Sequence, residues 1–362
     1  MATPIKTAKG TWRIQVEVKG QRDGATLPTK REATEWAAQR TAQLLAVATG
    51  RAGEVKALAQ ALARYGEEVS SVKRGWSKEL IRLRAFVGQP KFPGKRLLAD
   101  TQKICETAIR FWHGQGKPPF KNYLFLLNVV NEGFGGLEHA DSTALICGRR
   151  DLPRLGEAKT SEGYTTLLGL ISHEYFHAWN IKRLKPACFS PYNYAKENYT
   201  TLLWFFEGFT SYYDDLLLLR AGCIDLEGYI GQLQKALDSV QNNPGRHIQS
   251  AALSSLEAWT KLYRPDENSP NATTNYYTKG ALIALCLDLT LRREGHTTLD
   301  AVMQTLYQHC FASQRTPFGM TEADLAAVLH ALGGRSFANE LRQWVHGTEE
   351  LPLEQLLAHT PI

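Results

Sequence analysis

The sequence predicts an α+β protein in which a small α+β module and a short helical segment precede a larger, mainly helical domain. Three observations indicate this order. The stretch Thr11–Val18 alternates large and polar residues, as a half-buried strand does. Helical periodicity dominates the chain beyond Gly94. Between these regions lies Gly88–Gly94, GQPKFPG, whose two prolines and two glycines predict a boundary.

The amino-terminal module is expected to occupy residues 1–50. After its first strand, Gln21–Gly24 (QRDG) predicts a turn, and Ala25–Leu27 predicts a partner strand. Thr29 is a good N-cap residue for the helix that follows. Strands and one capped helix in so short a stretch predict a compact α+β unit.

A short helical segment and linker are predicted over residues 51–90, with helices at Val55–Val69 and Ser77–Val87. The larger domain is predicted over 91–362. Its helical segments are Leu97–Trp112, Tyr164–Ile181, Tyr199–Ala221, Leu226–Val240, Thr278–Arg293, Leu299–Tyr307 and Glu322–Ala331. The apolar run Asn122–Asn131 predicts a buried strand, and Ala144–Ile146 is expected to pair near it.

Composition and charge narrow the functional classes. With 43% hydrophobic and 22% charged residues the chain resembles an ordinary soluble protein. No apolar run is long enough to span a membrane, and no signal peptide is evident, so a cytoplasmic location is expected. The six scattered cysteines are expected to be reduced thiols.

The positive charge is concentrated in the amino-terminal quarter. Residues 1–90 hold 16 of the 42 Lys and Arg residues and 8 of the 36 Asp and Glu residues, a net charge of +8. The rest of the chain therefore carries a net charge of −2. A basic module is a candidate for binding a polyanion.

The motif HEYFH at residues 173–177 predicts a metal site. On a helix, residues four apart face the same side, so the imidazoles of His173 and His177 can point at one ion. Glu174 lies beside them and can reach water at the ion rather than the ion itself. Neutral imidazole suits zinc, and a catalytic zinc site needs a third protein ligand and one open position.

A third ligand is predicted at Glu207. It is the one carboxylate within the aromatic, apolar stretch Trp204–Tyr213 (WFFEGFTSYY). A buried carboxylate is costly unless it is paired or binds a metal. The alternative is an exposed glutamate on an amphipathic helix. The HExxH helix needs a third ligand, and this glutamate, about thirty positions later, needs a partner if it is buried. Together these two needs favour the metal ligand over the exposed glutamate.

HEYFHAWNIKRL, followed by ENYTTLLWFFEGFTSYYDD, resembles the glycyl aminopeptidase family of gluzincin zinc metallopeptidases, relatives of the thermolysin-like aminopeptidases. The resemblance covers about residues 92–355 and implies a thermolysin-like catalytic domain. At the matching positions it makes His173, His177 and Glu207 the ligands of one zinc ion and Glu174 the general base.

Two further motifs agree with this family. NYYTKGA resembles its YxKGA segment, which places the donor to the developing oxyanion on Tyr277; Tyr276 is the alternative, because neighbours on a helix point about 100° apart. GGLEH resembles the strand motif beside the substrate, whose glutamate, here Glu138, holds the free amino group. Gly135 and Gly136 would allow close backbone approach of the peptide.

The amino-terminal quarter resembles a different family. GTWRIQVEVKGQRDGATLPTKREATEWAAQR is similar to the amino-terminal arm-binding module of phage-type tyrosine recombinases (integrases), which binds DNA. YGEEVSSVKRGWSKELIRLRAF resembles the start of the helical core-binding domain that follows it. The recombinase catalytic domain is absent, so recombination is not expected, but duplex DNA is a candidate partner of residues 1–90.

The combined resemblances imply a zinc-dependent aminopeptidase fused near residues 88–94 to an integrase-like segment. Its partner would be a peptide with a free amino terminus, and the family prefers small amino-terminal residues (Gly, Ala). The β-rich and PDZ-like domains that normally flank the catalytic domain are not expected, and their loss would expose apolar surface. The alternatives are a DNA-binding module fused to a truncated, inactive peptidase-like domain, and a non-functional fusion without a stable fold.

Overall fold

The structure is a computed structural model, which describes residues 3–8, 10–48, 94–154, 156, 160–295, 297–312 and 318–358. The chain divides into two compact units, Met1–Pro90 and Lys91–Ile362. The helices predicted at Val55–Val69 and Ser77–Val87, and all of the predicted boundary except Gly94, lie outside the described residues.

In the first unit, the described residues form an antiparallel three-stranded sheet and a helix. Its elements are β1 (Ile5–Lys6), β2 (Trp12–Val18), β3 (Gln21–Leu27) and α1 (Lys30–Ala48). Alternate residues of β2, Ile14 and Val16, are buried against Ala33 and Ala37 of α1, which confirms the alternation read from the sequence. Thr29 caps α1 as predicted, because its hydroxyl oxygen accepts a hydrogen bond from the Glu32 N–H at 3.2 Å.

The turn between β2 and β3 lies earlier than the sequence predicts. Val18 pairs directly with Gln21, so the hairpin turns at Lys19 and Gly20, both with positive φ (47° and 84°). A two-residue turn with positive φ at both positions matches the twist of the strands that it joins. The prediction of a turn at Gln21–Gly24 is therefore wrong: those residues belong to β3.

Where the structure describes the second unit, it contains a small sheet and many helices. Its strands are β4 (Leu124–Val130), β5 (Gly135–Glu138) and β6 (Ser142–Gly148). Its α-helices are α2 (Gly94–His113), α3 (Glu162–Phe176), α4 (Leu203–Phe206), α5 (Gly208–Arg220), α6 (Leu226–Gln241), α7 (Ala251–Leu256), α8 (Ser269–Ala272), α9 (Tyr276–Arg293), α10 (Leu299–Tyr307), α11 (Glu322–Gly333), α12 (Ala338–Glu340) and α13 (Leu353–Leu357). Short 3-10 turns lie at Arg149–Asp151, Ala187–Phe189 and Pro244–His247, and π-helical segments at Gln308–Ala312 and Leu341–His346. The mixed, mainly helical class predicted from the sequence is confirmed.

The sheet of the second unit has the order β4-β6-β5, with β6 parallel to β4 and antiparallel to β5. Its inner face packs against α3 through Leu145 and Cys147. Its outer face is apolar and exposed, with Leu124 and Leu126 56% and 39% accessible. The strand predicted at Asn122–Asn131 is present as β4, but the prediction that it is buried is wrong, because only alternate residues of β4 face the core.

Two predicted helices are interrupted near the candidate site. The helix predicted to reach Ile181 ends at Phe176, and the chain then turns through Asn180. The helix predicted over Tyr199–Ala221 begins at Leu203 and is divided at Glu207 into α4 and α5. Both interruptions fall at or next to predicted metal ligands, where irregular backbone aims side chains into a cleft.

Helix α5 crosses α9 at a glycine pair. A Cβ built on Gly208 would come within 2.5 Å of the Gly280 Cα, so a side chain there would force the helices apart. The crossing brings Glu207, just before α5, and Tyr277, in the first turn of α9, to one cleft. No helix among the described residues has the length and apolar character that a membrane crossing requires.

Candidate metal centre and cleft

Three side-chain atoms from two segments converge at the end of α3. The Nε2 atoms of His173 and His177 lie 3.0 Å apart, and the Glu207 Oε2 lies 3.3 Å from the first and 3.0 Å from the second. Among the described residues these three side chains form the one group of His, Cys, Asp or Glu that could hold a metal ion. The structure thus brings together the three predicted ligands.

The outer nitrogens of both imidazoles are engaged by oxygens. His173 Nδ1 lies 2.9 Å from Asp214 Oδ2, and His177 Nδ1 lies 2.8 Å from the backbone oxygen of Asn180. A backbone carbonyl only accepts, so His177 Nδ1 carries hydrogen, and in the neutral imidazole the lone pair is then on Nε2. A carboxylate partner favours the same tautomer for His173.

The donor set fits zinc. Two imidazole lone pairs and a carboxylate oxygen that face each other at 3.0–3.3 Å repel one another unless a cation lies between them. Tetrahedral zinc with bonds of about 2.0–2.1 Å would separate its ligand atoms by roughly 3.3 Å.

Glu174 lies beside the ligands but outside their cluster. Its Oε2 is buried and has no hydrogen-bond partner among the described residues. Burial raises the pKa of its carboxyl above the ordinary value. A Cβ at Gly136, on the edge strand β5, would overlap Oε1 of Glu174, so the absence of a side chain at Gly136 leaves room for the carboxylate.

An open cleft of about 630 Å³ surrounds these groups. It is lined by the three predicted ligands, Glu174, and the predicted substrate-binding residues Gly135, Gly136 and Glu138. Tyr277 also lines it, with its ring centroid 6.2 Å from that of His173. Tyr276 is 1% exposed and does not line the cleft.

Tyr263 is a cleft residue that the sequence did not indicate. It lies on the connection after α7, is 60% exposed, and its phenol oxygen is 3.0 Å from that of Tyr277. No motif marks it, because its position depends on how this connection folds back over α9.

Glu138 is paired with a lysine that follows the HExxH helix. The Lys182 Nζ lies 2.9 Å from Glu138 Oε1, and the two side chains are 25% and 20% exposed. The preceding residue, Ile181, is buried and has φ = 102°, which is rare for a β-branched residue and is held by the Ile181 N–H bond to the Leu184 carbonyl at 2.7 Å. The strained turn thus directs the lysine at the strand that lines the cleft.

The next residue fixes the same hairpin. Arg183 Nη2 lies 2.9 Å from Asp141 Oδ1, and its Nη1 donates to the Ala140 carbonyl at 2.9 Å. Both oxygens belong to the β5–β6 turn. Lys182 and Arg183 therefore hold the hairpin that carries Glu138 against the end of α3.

Comparisons with known proteins find similarity to peptidases. Residues 166–283 match the model of a family described as M61 glycyl aminopeptidase, a segment that includes the predicted ligands and Tyr277. The chain is also similar to the crystal structure of an aminopeptidase N family protein from Idiomarina loihiensis, at 43% identity and a TM-score of 0.70. That similarity covers 74% of this chain and 45% of the other, so this chain spans less than half the length of that protein.

The comparison with curated proteins gave no match. Neither the matching family nor the Idiomarina loihiensis protein is described as a recombinase or as a DNA-binding protein. The integrase resemblance of residues 1–90 therefore gains no support from these comparisons.

Proposed function

We propose that this chain is a zinc-dependent aminopeptidase that hydrolyses the first peptide bond of substrates with a small amino-terminal residue. The convergence of two imidazole nitrogens and one carboxylate oxygen within 3.3 Å carries the proposal. The similarity to glycyl aminopeptidases and to an aminopeptidase N family protein supports it.

His173, His177 and Glu207 would hold the zinc ion, which supplies a Lewis acid for the scissile carbonyl and lowers the pKa of water. Glu174 has a buried carboxylate oxygen without a partner among the described residues. That oxygen accepts a proton from the attacking water and then delivers it to the leaving amine. Its raised pKa makes it a better base for the first transfer without preventing the second.

Tyr277 donates a hydrogen bond to the amide oxygen as negative charge develops on it. Burial and the negative charge of Glu207 raise the pKa of its phenol, so the hydroxyl keeps its hydrogen. A fixed donor aimed at the position of the developing negative charge stabilises the transition state more than the ground state. Tyr276, the alternative donor, stacks behind it with ring centroids 4.7 Å apart and lies away from the cleft.

Glu138 holds the free amino group of the substrate. Lys182 bonds Glu138 Oε1. Glu138 Oε2 has no partner among the described residues and can accept a hydrogen bond from the substrate ammonium. Gly135 and Gly136 let the peptide approach the unpaired edge of β5. Selectivity for a chain end follows, because an internal bond has no ammonium to offer.

A second candidate function concerns residues 1–90. Their net charge of +8 and the strand–helix arrangement of the first unit favour binding of duplex DNA. In this alternative the second unit would be an inactive peptidase-like domain.

The deciding experiment measures hydrolysis of glycyl and alanyl peptides by the purified chain, with and without a chelator and after zinc is restored. The aminopeptidase proposal expects turnover that disappears on chelation, returns with zinc and is absent from Glu174→Gln. If the Glu174→Gln variant retained turnover, the aminopeptidase proposal would be contradicted. A zinc-loaded, folded chain that cleaves no peptide would favour the inactive alternative.

A further inference from the structure

The cleft continues past the metal ligands, away from Glu138. Glu138 is held at the carboxyl end of α3 by Lys182. At the other side the cleft follows α3 back toward Thr166 and follows α5 toward Asp215. Glu207, Ser211 and Asp215 are four residues apart and share one helix face, so Asp215 lies about 12 Å along the axis from Glu207.

We call this extension the Asp215 lobe; it is lined by Thr166, Gly169, Leu170, Ser211, Asp215 and Gln232. Its wall on α3 is opened by a glycine: a Cβ at Gly169 would lie 3.6 Å from Asp215 Oδ1 and contact no other atom within 4 Å. The carboxylate of Asp215 therefore lies above a part of the helix that carries no side chain.

The lobe contains a carboxylate without a cation. The residues lining the cleft include five carboxylates and no lysine or arginine. Glu207 faces the two imidazoles, Asp214 bonds His173, and Glu138 bonds Lys182. Asp215 bonds Gln232, which is neutral, and the nearby Lys235 bonds Glu162 instead. Burial, and then the charge of Asp214, raise the pKa of Asp215 to about 8, so a cation placed there would favour its ionised form.

We propose that the Asp215 lobe binds a basic side chain, lysine or arginine, on the residue that follows the scissile bond. This inference rests on the proposed function, which puts the amino-terminal residue between the ligands and Glu138. The second residue then enters the lobe. A lysine ammonium lies about 6 Å from its Cα, which suits a carboxylate beside Gly169, about one helical turn before the ligand His173, better than a short side chain does.

The test compares Gly-Lys-Ala-amide with Gly-norleucine-Ala-amide, two peptides whose second side chains share four carbons and differ in the terminal ammonium. We expect kcat/KM to favour the lysine peptide by about 10- to 100-fold, the range for a charge-assisted hydrogen bond. Asp215→Asn should bring this ratio close to one. The matched control, Asp238→Asn, removes an exposed carboxylate of α6 outside the cleft and should keep the ratio. A ratio near one in the parent, or an unchanged ratio in Asp215→Asn, would overturn the inference.

Two further measurements keep the test decisive. Gly169→Ala adds one methyl group to the lobe at ordinary contact distance. The variant should fold, because alanine favours the helix, and it should lower kcat/KM for the lysine peptide at least about threefold.

Affinities of both peptides are also measured by calorimetry for zinc-loaded Glu174→Gln. Tighter binding of the lysine peptide without hydrolysis by the parent would support the lobe and refute the aminopeptidase proposal. Hydrolysis without a lysine preference would support the aminopeptidase proposal and refute the lobe. Equal affinities without hydrolysis would refute both the lobe and the aminopeptidase proposal.

Discussion

The phenol oxygens of Tyr263 and Tyr277 lie 3.0 Å apart, so a second hydroxyl supports the one proposed to face the substrate. The Tyr276 hydroxyl can donate to Tyr263 over a long 3.5 Å. If Tyr263 in turn donates to Tyr277, the hydrogen of Tyr277 stays free for the substrate oxygen. Successive hydrogen bonds polarise one another, which makes that hydrogen a better donor.

Tyr263→Phe should therefore lower kcat by about 2- to 10-fold, the value of one neutral hydrogen bond, and leave KM nearly unchanged. Tyr277→Phe should lower kcat further. The double variant should be no slower than Tyr277→Phe alone, because Tyr263 acts through Tyr277. Steady-state kinetics of all four proteins provide the measurement, and additive effects of the two substitutions would rule out this coupling.

The ligand and base roles predict opposite effects on metal content. His177→Ala should lose zinc, because two ligands bind it much more weakly than three. Glu174→Gln should retain zinc and lose turnover. His247→Ala, at a half-exposed histidine outside the cleft, serves as the control. Zinc per chain is measured by atomic absorption after dialysis, and equal zinc loss in the first two variants would refute the division of roles.

Removal of the carboxylate at Glu138 should affect only substrates with a free amino terminus. A charge-assisted hydrogen bond is worth roughly 1.5–3 kcal/mol, so Glu138→Ala should depress kcat/KM for unblocked peptides by about 10- to 150-fold. Amino-terminally acetylated peptides should be poor substrates for the parent and change little. Zinc content should stay constant.

The control for this prediction removes a carboxylate outside the cleft. Glu106→Ala, at an exposed glutamate of α2, should spare the preference for free amines. If the parent cleaves acetylated and free peptides equally well, the aminopeptidase proposal is wrong and the activity is that of an endopeptidase.

A side chain at Gly136 should displace the general base. Its Cβ would overlap Oε1 of Glu174, whose carboxylate would have to move by about 1 Å or more. Displacements of this size can cost about 100-fold in rate, so Gly136→Ala should lower kcat at least about tenfold with zinc retained. Leu124→Ala, at an exposed residue of β4 outside the cleft, is the control. Parent-like kcat in Gly136→Ala would show that Glu174 does not work from this position.

If residues 1–90 bind DNA, the full chain should retain duplex DNA at low salt, with an affinity that falls at least about tenfold between 50 and 200 mM salt. Arg13→Glu, on the exposed face of β2, should weaken retention, whereas Arg264→Glu, exposed in the second unit, should not. Absence of retention at low salt, measured by gel shift, would end this proposal.

Much of the site could be predicted because its chemistry is local in sequence. His173, Glu174 and His177 share one helical turn, and four-residue spacing alone puts both imidazoles on one face. Glu207 stood out as a lone carboxylate among aromatic residues. The mainly helical class, the cap at Thr29 and the strand Trp12–Val18 likewise followed from short-range patterns.

Other features depend on contacts between distant segments. The sequence could not place Tyr263 beside Tyr277, Lys182 on Glu138, or Asp215 above Gly169, since no periodicity links these pairs. The premature end of α3 at Phe176 was missed because the apolar run continues, whereas the backbone turns to let the Asn180 carbonyl accept from His177.

The sequence by itself determined where residues able to bind a metal ion occur and the four-residue helical spacing that places two of them on one face. The tertiary structure decided which tyrosine faces the cleft, which cleft carboxylates bond a basic side chain, and that Glu174 and Asp215 do not. The physical reason is range: helical periodicity acts within a few residues, whereas burial and charge pairing depend on segments that meet only when the chain folds.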